Sequence, residues 1–186
     1  GAILVNSYGM TETAATLTIA ELDDPLRKRA ASVGHPIEGA EVRTAPLDAD
    51  GDGLSCPYPA EPEGGWRRGE LVCKTPSLAD GIIGADGELV QRLDAEGWLH
   101  TGDIGWVDAD NYVWVDGRVK DMIIRGGINI YPAEVENTYQ DHPQVAECCL
   151  VGYPDPDLGE RTCLCVIMNE DADLSMFAMR EYAKGR

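Results

Sequence analysis

The chain has few basic residues, no long apolar run and no CxxC motif, and each absence excludes a class of protein. Its 186 residues include 15 Lys and Arg against 33 Asp and Glu, for a formal net charge of -18 at pH 7. Such a chain repels a polyanionic phosphate backbone, which excludes nucleic acid as a partner. No segment reaches the roughly 18 to 20 apolar residues that span a bilayer, and the first residues lack the basic and apolar regions of a signal peptide.

The six cysteines do not form a disulfide or zinc pattern. Cys148 and Cys149 are adjacent, and Cys163 and Cys165 lie two apart in a strand-like run. Neighbouring strand residues face opposite ways, so we expect buried, reduced thiols. Together with the absent membrane and signal segments, this predicts a soluble, cytoplasmic protein whose oligomeric state the sequence does not specify.

Two further patterns resemble metal sites only superficially. The segment 48–53 imitates the start of a calcium loop, but its twelfth position is Pro59 where a bidentate Glu is needed. We interpret 48–65 as an exposed acidic loop. The three histidines, His35, His100 and His142, have no metal-ligand spacing, and we expect them to be structural.

Short β-like runs separated by Gly, Pro and Asp dominate the middle of the chain and predict a small, distorted β-barrel or sandwich over 32–116. The clearest hairpin is 106–115, with Asp-Asn turn chemistry between alternating apolar residues. An apolar run at 2–5 predicts a strand already under way, as in an excised piece, and 21–29 predicts a loop. The other predicted strands are 41–45, 69–74, 88–93, 104–108 and 112–116.

After Gly117 the pattern changes to a short strand, a Gly-Gly turn, a helix and further strands. Pro132 stands where a helix begins, 145–151 and 161–168 predict strands, and 174–184 predicts a second helix. We therefore predict an α+β fold in three parts. They are 1–31, the end of a large α/β domain; 32–116, the β-barrel-like subdomain; and 117–186, part of a small, mobile α+β domain.

Four sequence blocks, in this order, resemble the adenylate-forming superfamily, which includes acyl-CoA synthetases, firefly luciferase and peptide-synthetase adenylation domains. Each block alone is a modest signal, but their order and spacing across most of the chain make coincidence improbable. They are Tyr-Gly-Met-Thr-Glu at 8–12, Gly-Glu-Leu-Val at 69–72, Gly-Trp-Leu-His-Thr-Gly-Asp at 97–103, and Gly-Arg at 117–118 followed by the run 126–136.

The resemblance implies a nucleotide site in the first part of the chain. Tyr8 and Gly9 would contact ATP or AMP, with the Tyr8 ring stacked on adenine. Thr11 would contact phosphate, and Glu12 would help to hold Mg²⁺, which prefers oxygen ligands. Asp103 would accept hydrogen bonds from both ribose hydroxyls. Without the other blocks, Tyr8 would simply end a strand and Asp103 would be a turn aspartate.

The resemblance also assigns roles after residue 116. Arg118 would place its guanidinium on the ribose or phosphate. Lys120 would be the hinge at which the small domain alternates between adenylate-forming and thioester-forming arrangements. Gly126 and Gly127 would approach the pantetheine arm of coenzyme A. The alternatives are an ion-pair arginine, a solvated lysine at a strand start and an ordinary hairpin turn.

Two features of the superfamily are missing from these 186 residues: the Gly-, Ser- and Thr-rich phosphate loop, and a Gly-Lys before the terminus. Lys184 precedes its glycine, so we do not assign it the catalytic role. We expect a part of a carboxylate-CoA ligase, inactive alone, whose parent uses ATP, Mg²⁺ and coenzyme A on a small carboxylic acid in fatty acid metabolism. The alternatives are a ligase that loads a carrier-protein thiol and a non-catalytic interaction module.

Overall fold

The computed structural model describes residues 3–47, 68–84, 86–90 and 93–184. Helices are mixed with antiparallel strands, which confirms the predicted α+β class. The chain divides into two compact units, Gly1–Val115 and Asp116–Arg186. The predicted three-part division, with its further boundary near residue 31, stays a prediction.

The first unit begins with three short antiparallel strands, β1 (Ser7–Tyr8), β2 (Thr18–Ile19) and β3 (His35–Pro36). The strand predicted at 2–5 was wrong for residues 3–5, which lie exposed and pair with no strand among the described residues. An apolar run becomes a strand only where another strand satisfies its backbone groups.

Helix α1 (Leu26–Ala31) replaces part of the loop predicted at 21–29. Its residues are good helix formers, and Pro25 precedes them as the N-cap. The charges that suggested a loop in fact attach the helix, because Lys28 forms an ion pair with Asp108 and lies over the Tyr112 ring.

Six strands complete the first unit: β4 (Glu41–Ala45), β5 (Gly69–Lys74), β6 (Ile82–Ile83), β7 (Leu89–Val90), β8 (Leu99–Val107) and β9 (Val113–Arg118), the last of which ends just inside the second unit. The main sheet has the order β4-β5-β8-β9, and β6 pairs with β7 in a separate ribbon. In the described part of the chain this sheet is open, so the predicted barrel-like closure was wrong. Strands β4 and β9 are its two edges.

The strand predicted at 88–93 is reduced to β7 and an isolated bridge between Leu93 and Leu99. The hairpin predicted at 106–115 is confirmed by β8 and β9. Its turn is fixed by Asp108, whose Oδ1 accepts the backbone N–H groups of Asp110 and Tyr112, and by Asn111 at φ 66°.

The second unit is one antiparallel sheet with helices. Its elements are β10 (Ile123–Arg125), β11 (Ile128–Ile130), α2 (Pro132–Gln140), β12 (Val145–Asp155), β13 (Gly159–Met168) and α3 (Met176–Ala183), with the sheet order β11-β10-β13-β12. The predicted helix start at Pro132 is confirmed. Its buried side chains include Tyr131, Ile123, Val145 and Leu150.

The five cysteines in the described residues are all free, as predicted, but their predicted burial was wrong for three of them. Cys73 is buried in β5, whereas Cys149, Cys163 and Cys165 are exposed. One side of an antiparallel sheet often faces solvent, and these three residues lie on such a side. None of the described helices is long and apolar enough to span a bilayer.

The loop predicted at 48–65, with its calcium-like segment, lies outside the described residues.

Candidate functional site

Two predicted site residues, 95 positions apart in the chain, are in direct contact. The Tyr8 hydroxyl at the end of β1 donates a hydrogen bond of 2.7 Å to Oδ2 of Asp103 on β8. Asp103 is only 6% exposed, so its carboxylate is largely removed from water. The first and third of the four sequence blocks therefore meet at one point in the first unit.

Asp103 lies within a strand, and an irregularity in that strand presents it. Gly102 has φ +76°, a conformation that an L side chain rarely adopts. The register of β5 against β8 shifts between Glu70 and Val72, as in a β-bulge. The turn interpretation of Asp103 was therefore wrong, because the local glycine bends a paired strand and does not end it.

Side chains from β5 and β8 hold this irregular segment. Glu70 accepts the Gly102 N–H at 2.9 Å through Oε1, and its Oε2 lies 2.7 Å from Nδ1 of His100. Thr101 donates its hydroxyl proton to the Leu71 carbonyl oxygen at 2.7 Å and accepts the Asp103 N–H at 3.1 Å. Side-chain hydrogen bonds thus fix the backbone N–H groups of Gly102 and Asp103.

Tyr8 is held protonated by its surroundings. Burial, reinforced by the hydrogen bond to the Asp103 carboxylate, raises the pKa of Tyr8 well above its ordinary value. Below the ring, burial raises the pKa of the Cys73 thiol to about 11, in the apolar cluster of Leu17, Cys73 and Leu99. Tyr8 therefore remains a hydrogen-bond donor to Asp103 throughout the physiological pH range.

The segment after Tyr8 turns sharply. Residues Thr11–Thr13 form a 3-10 turn, followed by Ala14 and Ala15 at φ 55° and 90°. A non-glycine residue in this region costs roughly 1 to 2 kcal/mol, and such strain concentrates at functional sites. Two such residues in succession indicate that the position of the Thr11-Glu12 turn matters more than its local stability.

Only one of the two threonines in this turn is structural. Thr13 is fully buried, and its hydroxyl donates to the Met10 carbonyl at 3.0 Å and accepts the Met10 N–H at 3.2 Å. Thr11 is exposed and Glu12 is half-buried. Thr13 therefore supports the turn, while Thr11 and Glu12 are displayed on it.

Close packing of the chain requires glycine at position 9, whatever its role in ligand binding. A Cβ on Gly9 would lie 1.5 Å from the Ala15 carbonyl oxygen, so no side chain fits there. Two hydrogen bonds also attach the turn to the segment before β6. The Ala79 N–H donates to the Glu12 carbonyl at 2.8 Å, and the Ser77 hydroxyl donates to the Thr13 carbonyl at 3.0 Å.

The second unit holds the remaining predicted residues. Arg118 at the end of β9 and Lys120 in a 3-10 turn, Val119–Asp121, are exposed and line an open cleft of about 560 Å³. Lys120 therefore does not begin a strand. Tyr131, Glu136 and Glu160 line the same cleft.

Gly126 and Gly127 form a two-residue turn between β10 and β11. Their φ values of 59° and 80° match the type I′ turn that favours glycine in hairpins. The Gly126 N–H donates to the Leu158 carbonyl at 2.7 Å, so the turn rests against the tip of the β12–β13 hairpin. Both glycines are exposed.

The sequence alone gave no role to several residues that build the site. Glu70 and Thr101 fall inside the quoted blocks, so their place in those blocks was an available signal. Thr13 and Ser77 offered none, because their contacts depend on the folded path of the chain. In the ranges that the structure describes, no group of three or more His, Cys, Asp or Glu side chains is arranged to hold a metal ion.

Both units of the chain are similar to known proteins. The family model for the AMP-binding enzyme C-terminal domain matches residues 134–185. The chain is 37% identical over 179 residues to a sulfoacetate–CoA ligase of Cupriavidus necator, which covers 96% of this chain and 33% of the relative. The structure superposes on ATP-bound MatB from Rhodopseudomonas palustris with a TM-score of 0.80 and 27% identity, covering 98% of this chain and 34% of MatB.

The chain is homologous to adenylate-forming enzymes over nearly its whole length. A third relative, a fatty acid–[acyl-carrier-protein] ligase, ScoC, of Streptomyces coeruleorubidus, is 38% identical and covers 82% of this chain and 28% of its own length. The chain thus spans about a third of the length of the curated relatives it matches. Homology across both units is consistent with the order of the four sequence blocks.

Proposed function

We propose that the whole protein activates a small carboxylic acid with ATP and transfers the acyl group to coenzyme A. In the first step a carboxylate oxygen attacks the α-phosphorus of ATP, and the bond to pyrophosphate breaks. In the second, a thiol attacks the acyl carbonyl and AMP leaves. The observation that carries the proposal is the hydrogen bond between half-buried Tyr8 and buried Asp103, which joins two of the superfamily's blocks at one place.

We infer that Asp103 binds the ribose hydroxyls, and that Tyr8 positions the Asp103 carboxylate while its ring faces the adenine. Because an ionised carboxylate only accepts hydrogen bonds, a permanent donor at Oδ2 fixes its orientation for the ribose. Gly9 allows the close chain path behind Tyr8. Thr11 would donate its hydroxyl proton to phosphate from the exposed side of the strained turn.

Glu12 suits Mg²⁺ only in the presence of nucleotide. It is a single half-buried carboxylate, and Mg²⁺ is commonly bound by one or two carboxylates together with substrate phosphates and water. The metal would offset negative charge on the phosphates when bound. The described residues fit such a shared site and do not form a metal site of their own.

In the second unit, we propose that Arg118 contacts the ribose or phosphate, that Lys120 is the hinge, and that Gly126 and Gly127 lie along the pantetheine arm. Exposure of all four residues supports these roles, since each would act on a ligand or by movement. A carrier-protein thiol is the second candidate acceptor, because ScoC is named for that acceptor. A cytoplasmic location also stays a prediction.

Carboxylate-dependent ATP–pyrophosphate exchange tests the first step. The whole protein, given a panel of aliphatic, aromatic and sulfonated acids, should exchange pyrophosphate with at least one of them, and the isolated 186 residues should not. Exchange with no acid would favour a non-catalytic module, while robust exchange by the 186 residues alone would contradict the claim that they form only part of the site.

The second step is tested by the product. With coenzyme A and a phosphopantetheinylated carrier protein supplied in turn, mass spectrometry should identify the thioester on coenzyme A. A thioester found only on the carrier would establish the second candidate.

A further inference from the structure

Three thiols cluster on one face of the second unit's sheet, and one of them, Cys149, also lines the cleft that holds Arg118 and Lys120. Cys149 on β12 is directly opposite Cys165 on β13 in the antiparallel register, and Cys163 is two residues from Cys165. Directly opposed residues lie on the same face, as do residues two apart in a strand. All three cysteines are therefore on one face, and all three are exposed and free.

This face is the one opposite helix α2. The neighbouring Cys148 points to the helix, because its Sγ lies 3.3 Å from the Glu136 carbonyl oxygen. Since side chains alternate along a strand, Cys149 points the other way. Nothing in the proposed ligase chemistry uses these thiols.

The distance between Cys149 and Cys165 follows from the backbone. The Leu150 N–H donates to Oε1 of Glu136 at 2.7 Å, so it points away from β13. The N–H and carbonyl of Cys149 must then point toward β13, which makes Cys149 and Cys165 a hydrogen-bonded pair with Cα atoms about 5.5 Å apart. A disulfide needs Cα atoms roughly 4.4 to 6.8 Å apart, so the pair is within reach.

Neighbouring thiols affect the ionisation of Cys165. Negative charge on Cys163, followed by the hydrogen bond with Cys163 and by burial, raises the pKa of the Cys165 thiol, and charge on Cys149 adds to the effect. A thiol that resists ionisation is a poor first nucleophile. Cys165, directly opposite Cys149, is placed to resolve a mixed disulfide at Cys149.

We propose that Cys149 and Cys165 form a reversible intramolecular disulfide by exchange with a small disulfide such as oxidised glutathione. The Cys149 thiolate attacks one sulfur of the oxidant, forms a mixed disulfide and releases one reduced glutathione. The Cys165 sulfur then attacks the Cys149 sulfur, loses its proton to solvent and releases the second glutathione. Two protein thiols are oxidised and one glutathione disulfide is reduced.

The bond would be easily reduced. In a hydrogen-bonded pair the Cβ atoms lie near the wide end of the range of about 4.5 to 5.5 Å, whereas a disulfide prefers about 3.8 Å. Closing the bond must draw the strands together, and strained disulfides have more oxidising potentials. We expect formation at a high ratio of oxidised to reduced glutathione and complete reversal in excess reduced glutathione.

Trypsin provides a clean test, because its cleavage after Arg125, Arg161 and Arg180 places Cys149 in peptide 126–161 and Cys165 in peptide 162–180. The chain is oxidised with glutathione disulfide, alkylated, digested without reductant and analysed by mass spectrometry. The two peptides should be cross-linked, and reduced glutathione should separate them.

Matched variants identify the pair. The cross-link should be lost in Cys149→Ser and Cys165→Ser and kept in Cys148→Ser, Cys163→Ser and Cys56→Ser, with unchanged circular dichroism in all five. A cross-link that survives Cys149→Ser would overturn the proposal. So would a stable glutathione adduct in place of the cross-link, or an internal Cys163–Cys165 bond confined to peptide 162–180.

Discussion

The two units hold their predicted site residues in opposite ways. In the first, buried Asp103 and half-buried Tyr8 are hydrogen-bonded to each other and supported by a strand irregularity and a strained turn. In the second, Arg118, Lys120, Gly126 and Gly127 are exposed at strand ends and turns. In the first unit, the site residues therefore also contribute to the stability of the fold. In the second unit, the site residues are exposed, and their substitution leaves the core intact.

This difference separates stability from function in a measurable way. All four tryptophans lie in 1–115, so tryptophan fluorescence reports unfolding of the first unit alone. Substitutions at its site should change both stability and nucleotide binding. Substitutions of the exposed side chains at the second unit's site should change function with little change in stability.

The largest effect is expected from Leu71→Ala. Leu71 is fully buried in β5, and its carbonyl holds Thr101. The lost packing should lower the free energy of unfolding by about 2 to 5 kcal/mol. Urea titration followed by tryptophan fluorescence measures this, with Leu22→Ala, at a position 64% exposed, as the matched control. Equal midpoints for the two variants would refute the described core.

Asp103→Ala should come next. It leaves the part-buried Tyr8 hydroxyl without the Asp103 acceptor, which costs about 1 to 3 kcal/mol. In the same urea titration, adding Tyr8→Phe to Asp103→Ala should recover part of the loss, because the unsatisfied group is removed. Strictly additive losses in the double variant would mean that the two side chains do not interact.

Acid should destabilise the first unit through Asp108. Although burial disfavours its charge, hydrogen bonds from Lys28, Trp114 and the Tyr112 backbone prevail and hold the pKa of Asp108 below its ordinary value of 3.8. Its contribution is therefore complete above that value and lost as pH falls through the lowered pKa.

Asp108→Asn should cost about 1 kcal/mol at pH 7 and remove part of the acid sensitivity. The difference in unfolding free energy between wild type and variant should shrink from pH 5 to pH 2. A constant difference over that interval would contradict the assignment.

In the second unit, Gly127→Ala should cost about 1 kcal/mol, since its φ of 80° strains any L side chain. Gly117→Ala is the matched control, because a Cβ there has open space and no positive φ is required. Far-ultraviolet circular dichroism during thermal unfolding measures both. Equal stability would mean that the Gly-Gly turn is not held as described.

The smallest stability effect is expected for Lys120→Ala, within roughly 0.5 kcal/mol, because the side chain is exposed. Its functional effect should fall on one step. In the whole protein, thioester formation should decrease while pyrophosphate exchange is retained, as a hinge role requires. An equal loss in both assays would place Lys120 in binding instead.

The sequence predicted those elements whose signal is local. Pro132 marked a helix start, the Asp-Asn turn marked the β8–β9 hairpin and Gly126–Gly127 marked another. Prediction from the sequence failed where a contact with a residue distant in the chain determines the local structure. The run at 3–5 pairs with no strand among the described residues, α1 is attached by the ion pair from Lys28 to Asp108, and the exposure of three cysteines depends on which sheet face α2 covers.

Contacts between residues distant in the chain also determine the geometry of the site. Resemblance identified Tyr8 and Asp103 individually, but their direct hydrogen bond could not be derived from residues 95 apart. The supporting roles of Glu70, Thr101 and Thr13 also depend on the pairing of β5 with β8 and on the path of the strained turn.

AMP titration of the whole protein by calorimetry tests the central claim most directly, using Asp103→Asn against Asp110→Asn. Asp110 is an exposed turn carboxylate, 74% accessible at its side chain, so its variant should bind like wild type. Asp103→Asn should bind at least roughly tenfold more weakly, which corresponds to about 1.4 kcal/mol. Equal AMP affinity in the two variants would show that the Tyr8–Asp103 pair does not lie in a nucleotide site.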